Sequence, residues 1–472
     1  MNKQKFYITT TTPYVNADPH IGFALEILQA DAVARFKRLL EYEVCFNWGT
    51  DEHGLKIYRK ALEQKKDPLT YCDEFAVRFK NLIPTLNLSS TNFIRTTEEY
   101  HLKAAQEFWK RCFNNSDIYK KNYRSKYCVG CELEKTDSEL VNNHCPIHPT
   151  LTLEIIEEEN YFFRFSKYQE KLLLFYKDNP DFVIPKTRYN ELLSFVRSGI
   201  EDFSISRLKK KMPWGVDVPN DPEQVMYVWF DALVNYISTI GWPNNEKKFR
   251  AWWPVVQIAG KDNIRQQGAI WQAMLMSAGL PNSKQIFIHG FIASEGQRMS
   301  KSLGNVVNPF DLVEKYGVDP VRYYLLREIP PYDDGDYSER RFKEVYNADL
   351  ANGLGNLVAR VAKLSEKVAL TLTNVKEFNP EYIKTIDSFQ FDQALSWIWE
   401  KIKRTDKFIN DNEPWKITDQ NKLTEVLQNA VNEIGEIAYH LLPFLPETAE
   451  KILAQFSASK IKSQPPLFPR IV

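Results

Sequence analysis

Residues 6–63 read as a strand, a loop, a helix, a second strand, a second loop and a further helix, and that order restricts the fold sharply. FYITTTT (6–12) is β-branched and aromatic and runs into Pro13 and the turn-rich PYVNADP, so it reads as a strand that ends in a loop. From Ile21 to Leu40, the apolar residues Ala24, Ile27, Leu28, Ala32, Val33, Phe36, Leu39 and Leu40 recur at three- and four-residue steps, the spacing of a helix with one face to bury. VCFNW (44–48) is a short apolar strand leading into GTDEHG (49–54), after which LKIYRKALEQ resumes helical spacing. A strand returning after a helical crossover lies parallel to the first.

The alternation breaks after about residue 115 and returns near residue 223. VMYVWF (225–230), VVQIAG (255–260) and KQIFIHGFI (284–292) are strand-like and alternate with the helical stretches DALVNYISTI and AIWQAMLMSAG. From about residue 346 the pattern is helical almost throughout, with amphipathic runs in DLANGLGNLVARVAKLSEKV, DQALSWIWEKIKRTDKFINDN and LTEVLQNAVNEIGEIAYHLLPFLP. The expected architecture is α/β: a Rossmann-type parallel sheet split by an insertion and followed by an all-α bundle. The expected divisions are 1–115 and 223–292 for the two halves of the sheet domain, 116–222 for the insertion, 293–345 for a joining segment and 346–472 for the bundle.

Charge adds little. Lys plus Arg equals Asp plus Glu at 61 each, so no global field marks a polyanionic partner. The basic clusters KKNYRSK (120–126), RLKKK (207–211) and RR (340–341) read as solvated faces. The amino terminus lacks a signal pattern, and no apolar stretch approaches the roughly 20 residues that span a bilayer, so a soluble cytoplasmic protein with no membrane partner is expected.

Of six cysteines, Cys45, Cys72 and Cys112 are scattered, whereas the others crowd into YCVGCELEKTDSELVNNHCPIHP (127–149). Cys128 and Cys131 form one CxxC, and Cys145 with His148 forms a second knuckle, the pairing expected for tetrahedral zinc. Three thiolates and one imidazole leave no position open to water, which makes the site structural. His144 is a rival ligand that the spacing disfavours, and redox chemistry at the CxxC is the alternative reading.

Two further segments carry chemistry. In PHIG (19–22), Gly22 lies one residue into a helix that follows a strand; the bare backbone admits a ligand, the helix amino end suits phosphate, and His20 can add a hydrogen bond. In GQRMSKSLGNVV (296–307), Gly296 and Gly304 bracket a polar loop carrying Arg298, Ser300, Lys301 and Ser302. Each alone has a bland reading, as a turn and as a hairpin tip. In one chain, in this order, they resemble the HIGH and KMSKS signatures of class I aminoacyl-tRNA synthetases. Phe23 stands where the second histidine would be and Arg298 where the first lysine would be.

The resemblance implies an ATP site, with Mg2+ accompanying the nucleotide, formed by His20, Gly22, Gly260, Asp262, Arg298 and Lys301, of which His20 and Lys301 are the expected catalytic pair. VWFDALVNY (228–236) is similar to the stretch lining the amino-acid pocket of methionyl-tRNA synthetases, and Tyr14, Asp51, Trp229, Ala232 and Tyr236 match that family's motifs. Aromatic rings suit a thioether, and a carboxylate suits an α-ammonium. AGKDNIRQQGAIWQ (259–272) matches the GKD motif but carries Gln266 and Gln267 where Phe-His is expected, so part of the wall should be more polar. Asn356, Arg360 and Trp415 match the family's anticodon readers.

The expected partners are therefore L-methionine, ATP and tRNA(Met), with structural Zn2+ in the insertion. The insertion holds about 105 residues, too few for the hydrolytic domain of the isoleucine, valine and leucine enzymes. The chain ends with the bundle, without an appended dimerising module, which makes a monomer the expected state. Another class I synthetase and a catalytically weakened tRNA-binding relative are the competing readings.

Overall fold

A computed structural model describes residues 3–135, 137–299, 304–372 and 377–471. The chain divides into two compact units. The first comprises Met1–Pro19, Glu43–Asn81 and Ser90–Ile288; the second comprises His20–Tyr42, Leu82–Ser89 and His289–Val472.

The first unit is built on a six-stranded sheet of β1 (Lys5–Thr9), β2 (Glu43–Thr50), β3 (Asn92–Arg95), β4 (Val183–Ile184), β5 (Val256–Gly260) and β6 (Gln285–His289), in the order β3-β2-β1-β5-β6-β4. Pairing is parallel at β3–β2, β2–β1, β1–β5 and β6–β4, with Ile8 opposite Phe46 on one side and Val256 on the other. Strand order reverses between β1 and β5. The carboxyl ends of those two strands therefore form a topological switch point, where ligands bind in open α/β sheets.

An aromatic core packs against the sheet. Phe108 stacks on Trp271 at 5.6 Å, and Trp109 meets Phe230 edge-on at 5.2 Å. Such pairs add about 0.5–1.5 kcal/mol each beyond the area they bury.

Two elements depart from expectation. The strand placed at 225–230 ends at Met226, and it belongs to a small antiparallel sheet, pairing with Ser206–Leu208; residues Val228–Ala232 are already helical. A short buried apolar run does not declare its partner by periodicity. Conversely, Val183–Ile184, inside the expected insertion, completes the edge of the parallel sheet. Two residues carry no alternation signal. The insertion otherwise forms its own antiparallel sheet of Leu133–Lys135, Ile118–Cys128, Glu154–Phe163 and Phe203–Ser204.

The second unit contains helix α1 (Ile21–Leu39), a small sheet of Ile292–Ser294, Gln297–Arg298 and Gly335–Tyr337, and a helical bundle. The long helices Phe391–Asn412 and Gln420–Leu441 bury Ile398, Ile402, Leu427, Val431 and Ile434 at three- and four-residue steps. Asp419 caps the second of these by accepting from the Asn421 and Lys422 amides. Among the described residues, no helix is long and apolar enough to cross a membrane.

Candidate functional site

At the switch point of the first unit, the loop after β1 and the end of β2 come together: Tyr14 and Asp51 form an isolated parallel bridge, and the Asp51 amide donates to the Pro13 carbonyl at 2.9 Å. Trp229, from the short helix Val228–Ala232, meets the Tyr14 ring edge-on at 6.3 Å. Ala232 and Tyr236 are buried in the same unit. Tyr14, Asp51 and Trp229, which the sequence scatters, thus meet in one unit. The Tyr14 hydroxyl, the Trp229 indole N–H and Asp51 Oδ1 are buried without a hydrogen bond to protein, and such groups are completed in native interiors by ordered water or a ligand.

Gln266 and Gln267 are both buried. Gln267 Nε2 donates to the Tyr236 hydroxyl at 2.6 Å, and Gln257 Nε2, on β5, donates to Gln267 Oε1 at 2.8 Å. Tyr236 is also held from β1, where the Tyr7 hydroxyl donates to its carbonyl at 2.9 Å. Gly260, at the end of β5, is buried, and Asp262, in the turn after it, is exposed.

Several buried charges next to this pocket were not singled out from the sequence. His53 Nδ1 lies 2.9 Å from Asp231 Oδ2, and the imidazole packs against Trp214. Burial and then the like charges of Asp231 and Glu132 push the Asp51 carboxyl well above its ordinary value; burial also raises Asp231, against the pull of His53. Glu52 is neutralised by a two-pronged bond from Arg95, at 2.7 and 2.9 Å. The available signal was their position: His53 and Glu52 flank Asp51 in GTDEHG, Asp231 lies two residues after Trp229, and Glu132 directly follows Cys131.

In the second unit, His20 caps α1, its Nδ1 accepting from the Gly22 amide at 3.1 Å. A Cβ at Gly22 would come within 2.9 Å of that imidazole, so glycine is needed for the ring to fold back over the helix start. With Nδ1 an acceptor, the neutral ring carries its proton on Nε2. The ring edge is open to solvent, yet the surrounding protein disfavours charge and lowers its pKa. Two sequence-distant residues reach the same helix start: Met299 Cε would lie 3.9 Å from a Gly22 Cβ, and the Ile21 amide donates to the Val307 carbonyl at 3.1 Å. Arg298 is exposed at the base of that loop and lies over the Phe291 ring at 5.8 Å. Lys301, with Ser300 and Ser302, lies outside the described residues. Phe23 is buried in α1.

The knuckle closes as its spacing predicts. The ligand atoms of Cys128, Cys131, Cys145 and His148 all lie within 4.8 Å of one another, with Cys131 Sγ 3.4 Å from Cys145 Sγ and 3.2 Å from His148 Nδ1. Three sulfurs and one nitrogen at these separations fit a tetrahedral zinc ion. His144 points elsewhere, its Nδ1 against the Asn142 carbonyl at 2.8 Å.

In the bundle, the Arg360 guanidinium lies 5.1 Å over the Trp415 ring and is held by Asp406 at 3.0 Å and Asn410 at 2.6 Å. Asn356 is exposed one turn earlier on the same helix, and Trp415 is 47% exposed. The sequence placed Asn356 and Arg360 together; the fold adds Trp415.

A family model described as tRNA synthetases class I (M) matches residues 6–152 and 134–362. The methionine–tRNA ligase of Thermotoga maritima is 42% identical over 96% of this chain and 75% of its own length. That of Thermosynechococcus vestitus is 42% identical over 96% of this chain and 90% of its own length. The structure of Mycobacterium tuberculosis methionyl-tRNA synthetase in complex with methionyl-adenylate superposes with a TM-score of 0.91 at 36% identity, covering 99% of this chain and 100% of the other. Likenesses of this extent place the chain in the methionyl-tRNA synthetase family of class I aminoacyl-tRNA synthetases.

Proposed function

We propose that this methionine–tRNA ligase activates L-methionine with ATP to methionyl-adenylate, releasing pyrophosphate, and then transfers methionine to the 3′ end of tRNA(Met). The observation that carries the amino-acid assignment, to a pocket of Tyr14, Asp51, Trp229, Ala232 and Tyr236, is the meeting of Tyr14, Asp51 and Trp229, with buried polar atoms left unsatisfied among aromatic rings. The rings receive the thioether, where sulfur–aromatic contacts are favourable, and Asp51 accepts from the α-ammonium. An incoming cation offsets the like charges that press on Asp51.

In the activation step, the methionine carboxylate attacks the α-phosphorus in line and pyrophosphate leaves. No protein nucleophile is needed, so positioning and electrostatics provide the acceleration. His20 Nε2–H is the donor offered to phosphate at the amino end of α1, where the helix dipole also favours negative charge. Lys301 and Arg298 supply positive charge from the loop that returns to Gly22, and Gly260 with Asp262 serves the nucleotide from the end of β5. ATP enters with its Mg2+. Zinc held by Cys128, Cys131, Cys145 and His148 ties the knuckle together and takes no part in the chemistry.

Asn356, Arg360 and Trp415 form the anticodon surface: a stacked guanidinium and indole offer faces to unpaired bases, and the amide offers edge contacts. The divisions 1–115, 116–222, 223–292, 293–345 and 346–472 are retained as functional regions, and the enzyme is a cytoplasmic monomer in this reading. Methionine-dependent exchange of label between pyrophosphate and ATP tests the activity. Exchange with methionine supports it; exchange driven only by another amino acid, or by none, overturns it.

A further inference from the structure

The acidic cluster beside the amino-acid pocket contains one residue for which the ordinary reading leaves half a side chain unexplained. Glu132 follows the zinc ligand Cys131, and its backbone adopts a left-handed conformation, φ 53°, unusual for a glutamate. That turn sends the side chain out of the knuckle toward residues 54–56, where it is 1% exposed. Oε1 accepts from the Lys56 amide at 2.7 Å, in the first turn of helix α2 (Leu55–Glu63), and so completes a helix start whose own cap residue, Gly54, has no side chain to offer. Gly54 itself has φ 110°, and a Cβ there would come within 2.7 Å of Oε2. The Tyr227 hydroxyl holds the Glu132 carbonyl.

Capping accounts for Oε1 alone. Oε2 is buried without a hydrogen bond, as are Asp51 Oδ1 and the Tyr14 hydroxyl. These three groups are neighbours. Tyr14 and Asp51 are bridged through their backbones, Glu132 Oε2 faces Gly54 three residues after Asp51, and Lys56, whose amide Oε1 caps, lies over the Tyr14 ring at 5.7 Å. Burial raises the Glu132 carboxyl, against the pull of Lys56 and Arg207. Buried acceptors are costly unless a donor reaches them. A primary ammonium has three N–H donors, which match the three acceptors left without a hydrogen bond.

We infer that Glu132 is a second binding residue for the α-ammonium of the amino-acid substrate, delivered to the pocket by the zinc knuckle and sharing that cation with Asp51. The inference rests on the assignment of Tyr14 and Asp51 to the amino-acid pocket made above. It gives the knuckle a part in substrate recognition as well as in folding: the turn that closes the metal site also sets where a recognition carboxylate stands.

Glu132→Gln tests it, because the amide oxygen still accepts from Lys56 while the charge is lost. The expected result is a methionine KM in pyrophosphate exchange raised roughly ten-fold or more, with the ATP KM within about two-fold of wild type and zinc still bound at one per chain. Binding of 4-(methylthio)butanoate, which is methionine without its amine, should change by less than about two-fold. A methionine KM equal to wild type overturns the inference, as does an equal loss of affinity for methionine and for the deaminated analogue, which would mark Glu132 as a helix cap only. Asp51→Asn separates the two levels. If it raises the methionine KM while Glu132→Gln does not, the role of Glu132 fails alone; if neither variant has an effect, the pocket assignment fails with it.

Discussion

Arg322 Nη2 lies 2.7 Å from Asp31 Oδ2, with both side chains fully buried, and this pair fastens the helix that begins at His20. The rest of the guanidinium is used as well: it donates to the carbonyls of Leu86, Pro443 and Phe444. Asp31 also accepts from Arg35 and from Ser89. Although burial pushes the Asp31 carboxyl up, Arg322 and Arg35 hold it below its ordinary value.

Removing one partner of this network leaves a buried charge uncompensated. Arg322→Met should destabilise the second unit by about 3–5 kcal/mol, and Asp31→Asn by a similar amount. Because the folded pKa of Asp31 is depressed, its contribution is complete above the unfolded carboxylate pKa, near 4, and is lost as pH falls through the lower folded value. Denaturant melts of wild type and Asp31→Asn should therefore converge in strong acid; a gap that stays constant to pH 2 would contradict this.

At the nucleotide end of the same helix, Gly22→Ala should displace the His20 imidazole, because the added methyl would stand 2.9 Å from it. We expect a fall in the activation rate of about 10²-fold, close to that of His20→Ala, since one well-placed donor contributes about 3 kcal/mol. Burial lowers the His20 pKa, so any inflection that His20 gives the exchange rate should fall below the ordinary imidazole value of about 6.5. An inflection at or above that value that disappears in His20→Ala would overturn this.

Gln267 bears on selectivity. Gln267→Leu removes a donor from the buried Tyr236 hydroxyl, at a cost of about 1–3 kcal/mol, and should raise the methionine KM about ten-fold or more. Gln267→His restores a nitrogen donor and should remain within a few-fold of wild type. Competition assays with norleucine and homocysteine provide the measure: an apolar pocket distinguishes such neighbours by only about 1–3 kcal/mol, and loss of the amide should narrow that margin further.

Trp415→Ala removes an exposed indole from under Arg360. Aminoacylation should fall by about ten-fold or more, in line with about 1–3 kcal/mol per stacked base, while pyrophosphate exchange stays nearly unchanged. Equal losses in the two assays would refute the anticodon assignment.

Cys145→Ser should lower zinc content from one per chain to a small fraction and expose amides 127–149 to hydrogen exchange. Three remaining ligands no longer close the coordination sphere, and metal binding supplies folding free energy in such small sites. Retained zinc with unchanged protection would exclude Cys145 as a ligand.

How much of this was legible follows from the range of each interaction. The HIG helix start, the knuckle and the Asn356–Arg360 pair depend on residues a few positions apart, and local spacing announces them. The edge strand Val183–Ile184 and the antiparallel pairing of Asp221–Met226 depend on distant partners, so apolar character alone assigned one to the insertion and the other to the wrong sheet.

The sequence by itself determined the α/β order, the four knuckle ligands, the helix-capping histidine with its obligatory glycine, and the residues bound for the pocket, because each is encoded by short-range geometry or by a family motif. Only the tertiary structure decided that Gln267 grips Tyr236, that Arg322 secures Asp31, that Trp415 lies beneath Arg360 and that Glu132 leaves the knuckle for the pocket. Those pairings join positions 31 to 291 residues apart or depend on the direction a buried side chain takes, and a buried charge or amide chooses its partner from whatever the completed fold brings within hydrogen-bond reach.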